Sequence, residues 1–301
     1  MLHDERRDDV GVKLERTSPD AWSDITAERL WSPATVRYQT DGAAGMPLTF
    51  PSHAAAILPL LHLGGRRRLP ATALVVGSGA PDLVYLVGTL GAAAHHPRGL
   101  LTICLPAGLL AFLYLEALVL PIAGPLVVAA WPSRGRSTVA RLVGPRPLRR
   151  TPGEWFAVAV ALVLGAATHQ LWDGFTHAWM WPASALYPET SVSLFGRPVL
   201  VARVVQHASS AIGLAIVLIY LWRTAPPPLP PPERGDAARR LLALLAIPLV
   251  GGCVAAVVAS RVPDPLITRA LWNTAWSAAA WFALLLGAAC LLARALRREQ
   301  G

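Results

Sequence analysis

The sequence predicts an all-α integral membrane protein, with about six transmembrane helices, a short N-terminal half-helix before them and a polar cluster inside the helix bundle. Three observations carry this reading. Of 301 residues, 54% are hydrophobic and only 15% charged, which is too apolar for a soluble chain of this size. Apolar runs close to the ~20 residues of a spanning helix recur along the chain. Arginine-rich stretches separate them, and a single topology satisfies all of these stretches.

Residues 1–45 are charged, aperiodic and interrupted by Pro19 and Pro33, so they read as a flexible cytoplasmic tail. They hold no apolar core of a secretory signal, and Met46 is a second candidate for the start of translation. A short apolar segment at 52–64 follows. Six long ones come after it, at 69–93, 100–122, 155–173, 199–222, 240–259 and 271–293. The connections "GGRRRLP", "WPSRGRSTVARLVGPRPLRR" and "RTAPPPLPPPERGDAARR" and the basic tail 294–301 all fall on the cytoplasmic side of one alternating topology. Residues 94–99, 174–198 and 260–270 are then outside. The run "PPPLPPP" cannot be helical, because proline lacks the backbone donor and clashes with the preceding turn. It makes 224–239 a linker between a membrane core, 46–223, and a C-terminal helix pair, 240–293.

The net charge of +9 belongs to these loops. Its residues lie beside a membrane without interleaved aromatics, so nucleic-acid binding is disfavoured. Cys104, Cys253 and Cys290 all lie in apolar segments without metal-ligand spacing, which argues against a disulfide framework.

Ionisable side chains in a spanning segment cost about 2.5 to 3.5 kcal/mol each, so a concentration of them needs a reason. Here His53, Asp82, Glu116, His169, Asp173, Arg203 and His207 all fall in apolar segments. At about 1.5 Å of rise per residue from the cytoplasmic ends, His53 lies roughly 17 Å deep, Asp82 roughly 20 Å and His169 roughly 21 Å. His207, counted inward from the outer end across a core of about 30 Å, falls at about 18 Å. Scattered structural polar groups have no reason to share a level, whereas metal ligands must approach one ion within about 2 to 2.5 Å.

In "HQLWD", His169 and Asp173 are four residues apart and stack on one helix face. Gly174 and the tryptophans of "FTHAWMW" mark the outer end of that span, with His177 at the mouth of the site. The loop "AAAHHPRG" places His95 and His96 on the same side, and one of the two is expected as a further ligand. Arg203 stands one turn from His207, where its planar fork suits a phosphate or Asp173, or snorkels to headgroups. The mixture of imidazole and carboxylate suits zinc better than magnesium.

The segments "MPLTFPSHAAAILPL", "GSGAPDLVYL", "THQLWDGFTH" and "VVQHASSAIG" together resemble a family of bacterial membrane proteins known as a domain of unknown function, number 4184. The resemblance covers about residues 46–223. That family is similar in ligand order to membrane-bound metal-dependent hydrolases and, more remotely, to the zinc phospholipase C and single-strand nuclease group. This implies a divalent metal held by His53, Asp82, His95 or His96, His169 and Asp173. Where the soluble enzymes carry a later His-x-x-x-Glu, this chain has His207 and Ala211.

The expected function is therefore a metal-dependent, zinc-type hydrolase of the bacterial cytoplasmic membrane, its site facing the outer side. Arg203 and His177 are expected to contact substrate, and a membrane lipid phosphoester is the expected substrate. The alternatives are a transporter or ion-binding membrane protein, and a membrane protein whose polar cluster is purely structural.

Overall fold

The computed structural model describes residues 50–61, 69–86, 90–143, 150–187, 190–194, 197–223, 234–260 and 267–299. The tail 1–45, the run "PPPLPPP" and His62 of the arginine-flanked loop lie outside them.

The chain is mostly helical. In order come α1 (Phe50–Ile57), α2 (Ala71–Leu83), the one-turn α3 (Gly91–Ala94), the long α4 (Leu100–Ala130), α5 (Arg136–Val143), α6 (Pro152–Thr176), the one-turn α7 (Ala183–Leu186), the hairpin β1 (Ser191–Leu194) and β2 (Arg197–Leu200), α8 (Val201–Arg223), α9 (Arg234–Ser260) and α10 (Ile267–Glu299). Helices thus stand at all six predicted long segments. Four are long and apolar enough to cross a membrane: Leu100–Ala130, Pro152–Thr176, Val201–Arg223 and the Ser277–Ala295 part of α10. Their outward side chains are apolar, as Leu110, Phe156, Ile212 and Leu284 show.

The predicted span 69–93 departs most from expectation. Pro81 lies inside α2, where it lacks a donor and crowds the carbonyl four residues back. The helix tightens into a 3-10 turn at Val84–Leu86 just after Asp82. At about 1.5 Å per residue the apolar stretch Ala71–Leu86 rises only about 24 Å, short of the about 30 Å hydrocarbon core. The one-turn α3 follows and leads into α4. Further along, α9 begins at Arg234, so the last residues assigned to the linker are already helical once the prolines end at Pro232.

The site rests on α6. Its start is fixed by a capping box: Thr151 Oγ1 accepts from the Glu154 backbone N–H, and Glu154 Oε2 accepts from the Thr151 N–H at 2.6 Å. Its end is the extended residue His177. α2 packs along α6, and α1 packs against α8, α2 and α6. The α2/α6 seam is made by glycines. A Cβ on Gly77 would stand 2.3 Å from the Leu162 carbonyl oxygen, and one on Gly165 would stand 2.4 Å from the Leu74 carbonyl oxygen. Small residues allow this backbone approach, with Leu74, Phe112, Val158 and Leu162 packed beside it.

At the other end of α6, Glu116 is buried at 1% exposure within a π-helical turn of α4, Leu115–Val119. Arg150 Nη2 donates to Glu116 Oε2 at 3.2 Å and lies over the rings of Phe112 and Trp155.

Candidate metal centre

His169 is fully buried in the third-last turn of α6, where the glycine seam brings α2 to it. Its Nδ1 lies 2.7 Å from the carbonyl oxygen of Ser78. A carbonyl can only accept, so Nδ1 carries the proton, and in the neutral ring Nε2 holds a lone pair. The same logic governs His95. Its Nδ1 lies 2.7 Å from the carbonyl oxygen of Gly91, one turn earlier, again leaving Nε2 as the free acceptor.

These two Nε2 atoms face each other at 3.3 Å. Asp173 Oδ2 stands 3.0 Å from the first and 3.2 Å from the second. Asp82 Oδ1 is 3.6 Å from His95 Nε2 and 3.7 Å from His169 Nε2. Two tetrahedral ligands at about 2.0 to 2.1 Å from an ion lie about 3.3 Å apart, so the His95–His169–Asp173 triangle has the edges such an ion requires. By distance the cluster forms two sets able to hold a metal ion, His53–Asp82–His169 and His95–His169–Asp173, which share His169.

The electrostatics favour a cation. Three acceptors converge in a buried space, and such convergence is costly without a positive charge among them. A proton on one ring would serve one of the three contacts, whereas a divalent ion serves all of them. Hydrogen-bonding each imidazole's other nitrogen to a carbonyl is the usual way a protein orients metal-binding histidines.

His53 enters from α1, with 4% exposure. Its ring meets that of His169 edge-on at 4.1 Å between centroids, and its Nδ1 lies 2.7 Å from His169 Nδ1. It shares the proton that His169 gives Ser78, which leaves the proton of His53 on Nε2, 3.4 Å from Asp173 Oδ1. That oxygen is buried and accepts no hydrogen bond among the described residues. His53 therefore reaches the site, but in this arrangement it steadies Asp173 and offers no lone pair of its own.

Of the pair His95 and His96, only His95 joins the cluster. His95 is buried and His96 exposed. The turn that separates them is held by the Ala94 carbonyl, which accepts from Cys104 Sγ at 3.3 Å and from Gln170 Nε2 at 2.7 Å. Gln170 Nε2 also donates to the His96 carbonyl at 3.2 Å. With the backbone pinned at both residues, only His95 turns inward.

His207 is in neither of the two His/Asp sets. It lies exposed on α8, outside the cluster. At 3.6 residues per turn, consecutive side chains point about 100° apart, and the inward face of α8 runs through Ala202, Gln206 and Gly213. Gln206 takes the inward place, with its Nε2 3.3 Å from His177 Nε2. Depth alone had favoured His207. The stripe of small and polar residues at Ala202, Gln206, Ser209 and Gly213 was the legible signal for the buried face, one residue out of phase with it.

His177, at the end of α6, has Nδ1 3.6 Å from Asp173 Oδ1 and a ring contact to Trp179 at 5.9 Å. Arg203 is half-buried and shares a helix face with Gln206, three residues on. Ser78, Gly91, Gln170 and Trp179, whose ring is 6.3 Å from that of His95, were missed by sequence reasoning. The first two act through backbone carbonyls, which no side-chain pattern reveals.

Fold and site together define a helical protein with spans of membrane-crossing length and a buried histidine and aspartate cluster able to hold a metal ion. The chain belongs to the family described as a domain of unknown function, DUF4184, whose model matches residues 46–293. The match takes in the C-terminal helices α9 and nearly all of α10 as well as the segments in which the resemblance was read. No curated protein and no solved structure matches the chain.

Proposed function

We propose that this protein is a membrane-embedded, metal-dependent hydrolase, in which zinc is held by His95 Nε2, His169 Nε2 and Asp173 Oδ2, with Asp82 Oδ1 completing the donor set. The observation that carries the reading is the triangle of ligand atoms with edges of 3.0 to 3.3 Å, two of whose imidazoles have their tautomers fixed by backbone carbonyls. Two imidazoles and two carboxylates suit zinc. When bound, such an ion would supply Lewis acidity and lower the pKa of a water to about 7. The chain's own residues do the rest. Asp82 is the most open of the close carboxylates, 15% exposed against 3% for Asp173, and is placed to meet an incoming group. His53 Nε2 and His177 Nδ1 flank Asp173 Oδ1 at 3.4 and 3.6 Å.

The substrate we assign is a lipid phosphoester, which enters sideways from the bilayer. The ligand order shared with membrane-bound metal-dependent hydrolases and the zinc phospholipase C group supports this. In the proposed topology six helices alternate across the bacterial cytoplasmic membrane, with the arginine-rich loops in the cytoplasm and the site toward the outer side.

A second reading, a transporter or ion-binding protein, is favoured by one feature: the short apolar helix α2 carries Pro81 beside Asp82 and ends just beyond it, similar to the discontinuous helices of transporters. Metal analysis separates the readings. Detergent-purified protein is examined by mass spectrometry for bound metal, beside His169→Ala and Asp173→Ala variants that retain their circular dichroism. Stoichiometric zinc that both variants lose, together with release of headgroup from a lipid phosphoester, supports the hydrolase. A wild-type chain that takes up no zinc when supplied with it ends that reading.

A further inference from the structure

The segment between Thr176 and Val201 links the ends of two helices of membrane-crossing length, and the hydrolase reading uses only its first residue. It has an unusual surface. In the hairpin, Val192 pairs with Val199 and Ser191 with Leu200. Directly opposed residues share a face, and successive residues alternate, so Val192, Leu194 and Val199 lie on one side with Arg197, while Ser191 and Ser193 lie on the other with Leu200 and Pro198. Val192 and Leu194 are each 40% exposed, and ahead of them Trp181 is 70% exposed. A lone two-stranded hairpin is marginal in water, and exposed apolar side chains in this number call for cover.

The segment is nonetheless fixed to the end of α6. A Cβ on Gly174 would stand 2.6 Å from the Trp181 carbonyl oxygen, the Met180 N–H donates to the His177 carbonyl at 2.9 Å, and Tyr187 Oη donates to the Phe175 carbonyl. The exposed apolar belt of α6 runs through Leu171 and Phe175 and continues into Trp181. Exposed apolar side chains thus occur both at the end of α6 and on the segment beyond it.

We infer that the described residues between 177 and 200 form a cap whose Val192, Leu194 and Val199 face is seated in the interfacial layer of the bilayer, so that its occupant is membrane lipid. Tryptophan and mixed polar and apolar faces are what that layer favours. Trp179, 41% exposed, spans the two environments, because its ring also packs against His95 and His177. A lipid headgroup held by the cap therefore lies beside the His/Asp cluster. This last step rests on the hydrolase reading; the seating of the cap does not.

The test places a nitroxide at Val192→Cys, Ser193→Cys or Leu194→Cys in a Cys253→Ala background, since Cys104 and Cys290 are buried. The protein is held in nanodiscs of phosphatidylethanolamine and phosphatidylglycerol, and power saturation compares oxygen with a nickel chelate. Positions 192 and 194 should favour oxygen several-fold more than 193. Equal access of nickel to all three would put the cap in water. Exclusion of both reagents at 192 and 194 would mean that protein covers the face, either a second copy or residues 1–49. Either result overturns the inference. On the unsubstituted chain, a lipid-borne diazirine should label peptides from 177–200, and labelling confined to α4, α6, α8 and α10 would also overturn it. Metal content measured on the same samples keeps the two readings apart: a flat access profile with zinc retained sinks the cap alone.

Discussion

Gly165→Ala is the substitution from which the structure forecasts most. The added carbon would stand 2.4 Å from the Leu74 carbonyl oxygen and 2.7 Å from the Ser78 nitrogen, both backbone atoms that no rotamer change can move. Ordinary contact begins near 3.4 Å, so α2 must retreat from α6 by about 1 Å. His169 lies one turn beyond Gly165, and Ser78 is next to the opposing Gly77, so the same displacement falls on the bond between His169 Nδ1 and the Ser78 carbonyl. Stretched from 2.7 Å by that amount, it passes out of hydrogen-bond range. Overpacking costs about 1 to 3 kcal/mol, and a buried group left without its partner costs about 1 to 3 kcal/mol more. Unfolding in detergent should show a loss of about 2 to 6 kcal/mol from the two effects together. Zinc affinity, read by competition with a chelator, should fall about 10- to 100-fold, as it does when the group orienting a metal ligand is lost. Gly153→Ala is the control, because its Cβ meets nothing within 4 Å and should leave both quantities unchanged. A Gly165→Ala protein with wild-type melting and wild-type zinc would refute the idea that the glycine seam sets the position of His169.

The histidine pair offers a second check: His95→Ala should abolish stoichiometric zinc by mass spectrometry, while His96→Ala, on the exposed side of the turn, should keep it. His207→Ala should likewise retain zinc, and Gln206→Ala should leave zinc bound but loosen His177, visible as a changed imidazole signal by NMR. Removing metal with a chelator should lower the melting temperature, and restoring zinc to about 100 times its dissociation constant should return about 2.7 kcal/mol of stability. Glu116→Ala should destabilise the protein by about 3 to 5 kcal/mol in denaturant titrations, because it leaves the charge of Arg150 buried against Phe112 and Trp155.

What the sequence displays depends on the range of the interaction. The helices α4, α6, α8 and α10 were legible because length and apolar composition are local properties, and so was the pair His169 and Asp173, since a helix turns a spacing of four into a shared face. Asp82 and His53 were found through their cost in an apolar segment. His207 misled for the same reason. Depth along a helix says nothing about rotation around it, and one residue of phase exchanged a histidine for Gln206. The short α2 shows a further limit. Only the fold shows that the one-turn α3 follows it and delivers His95. The hairpin β1–β2 escaped altogether, because four-residue strands between spans leave no period long enough to read.

The π-helical turn at Leu115–Val119 carries one residue more than an α-helical path of the same rise would need. That surplus is a phase setting. It rotates everything before it by about 100° relative to everything after it, and Glu116 lies within the turn itself. Shortening the turn by one residue would leave composition, length and hydropathy almost untouched, yet it would swing the half of α4 that carries Cys104 and Phe112 out of step with the half that packs on α9. A protein family built on this helix is therefore expected to count residues there as strictly as a reading frame does, tolerating exchanges of side chain far better than a single insertion or loss.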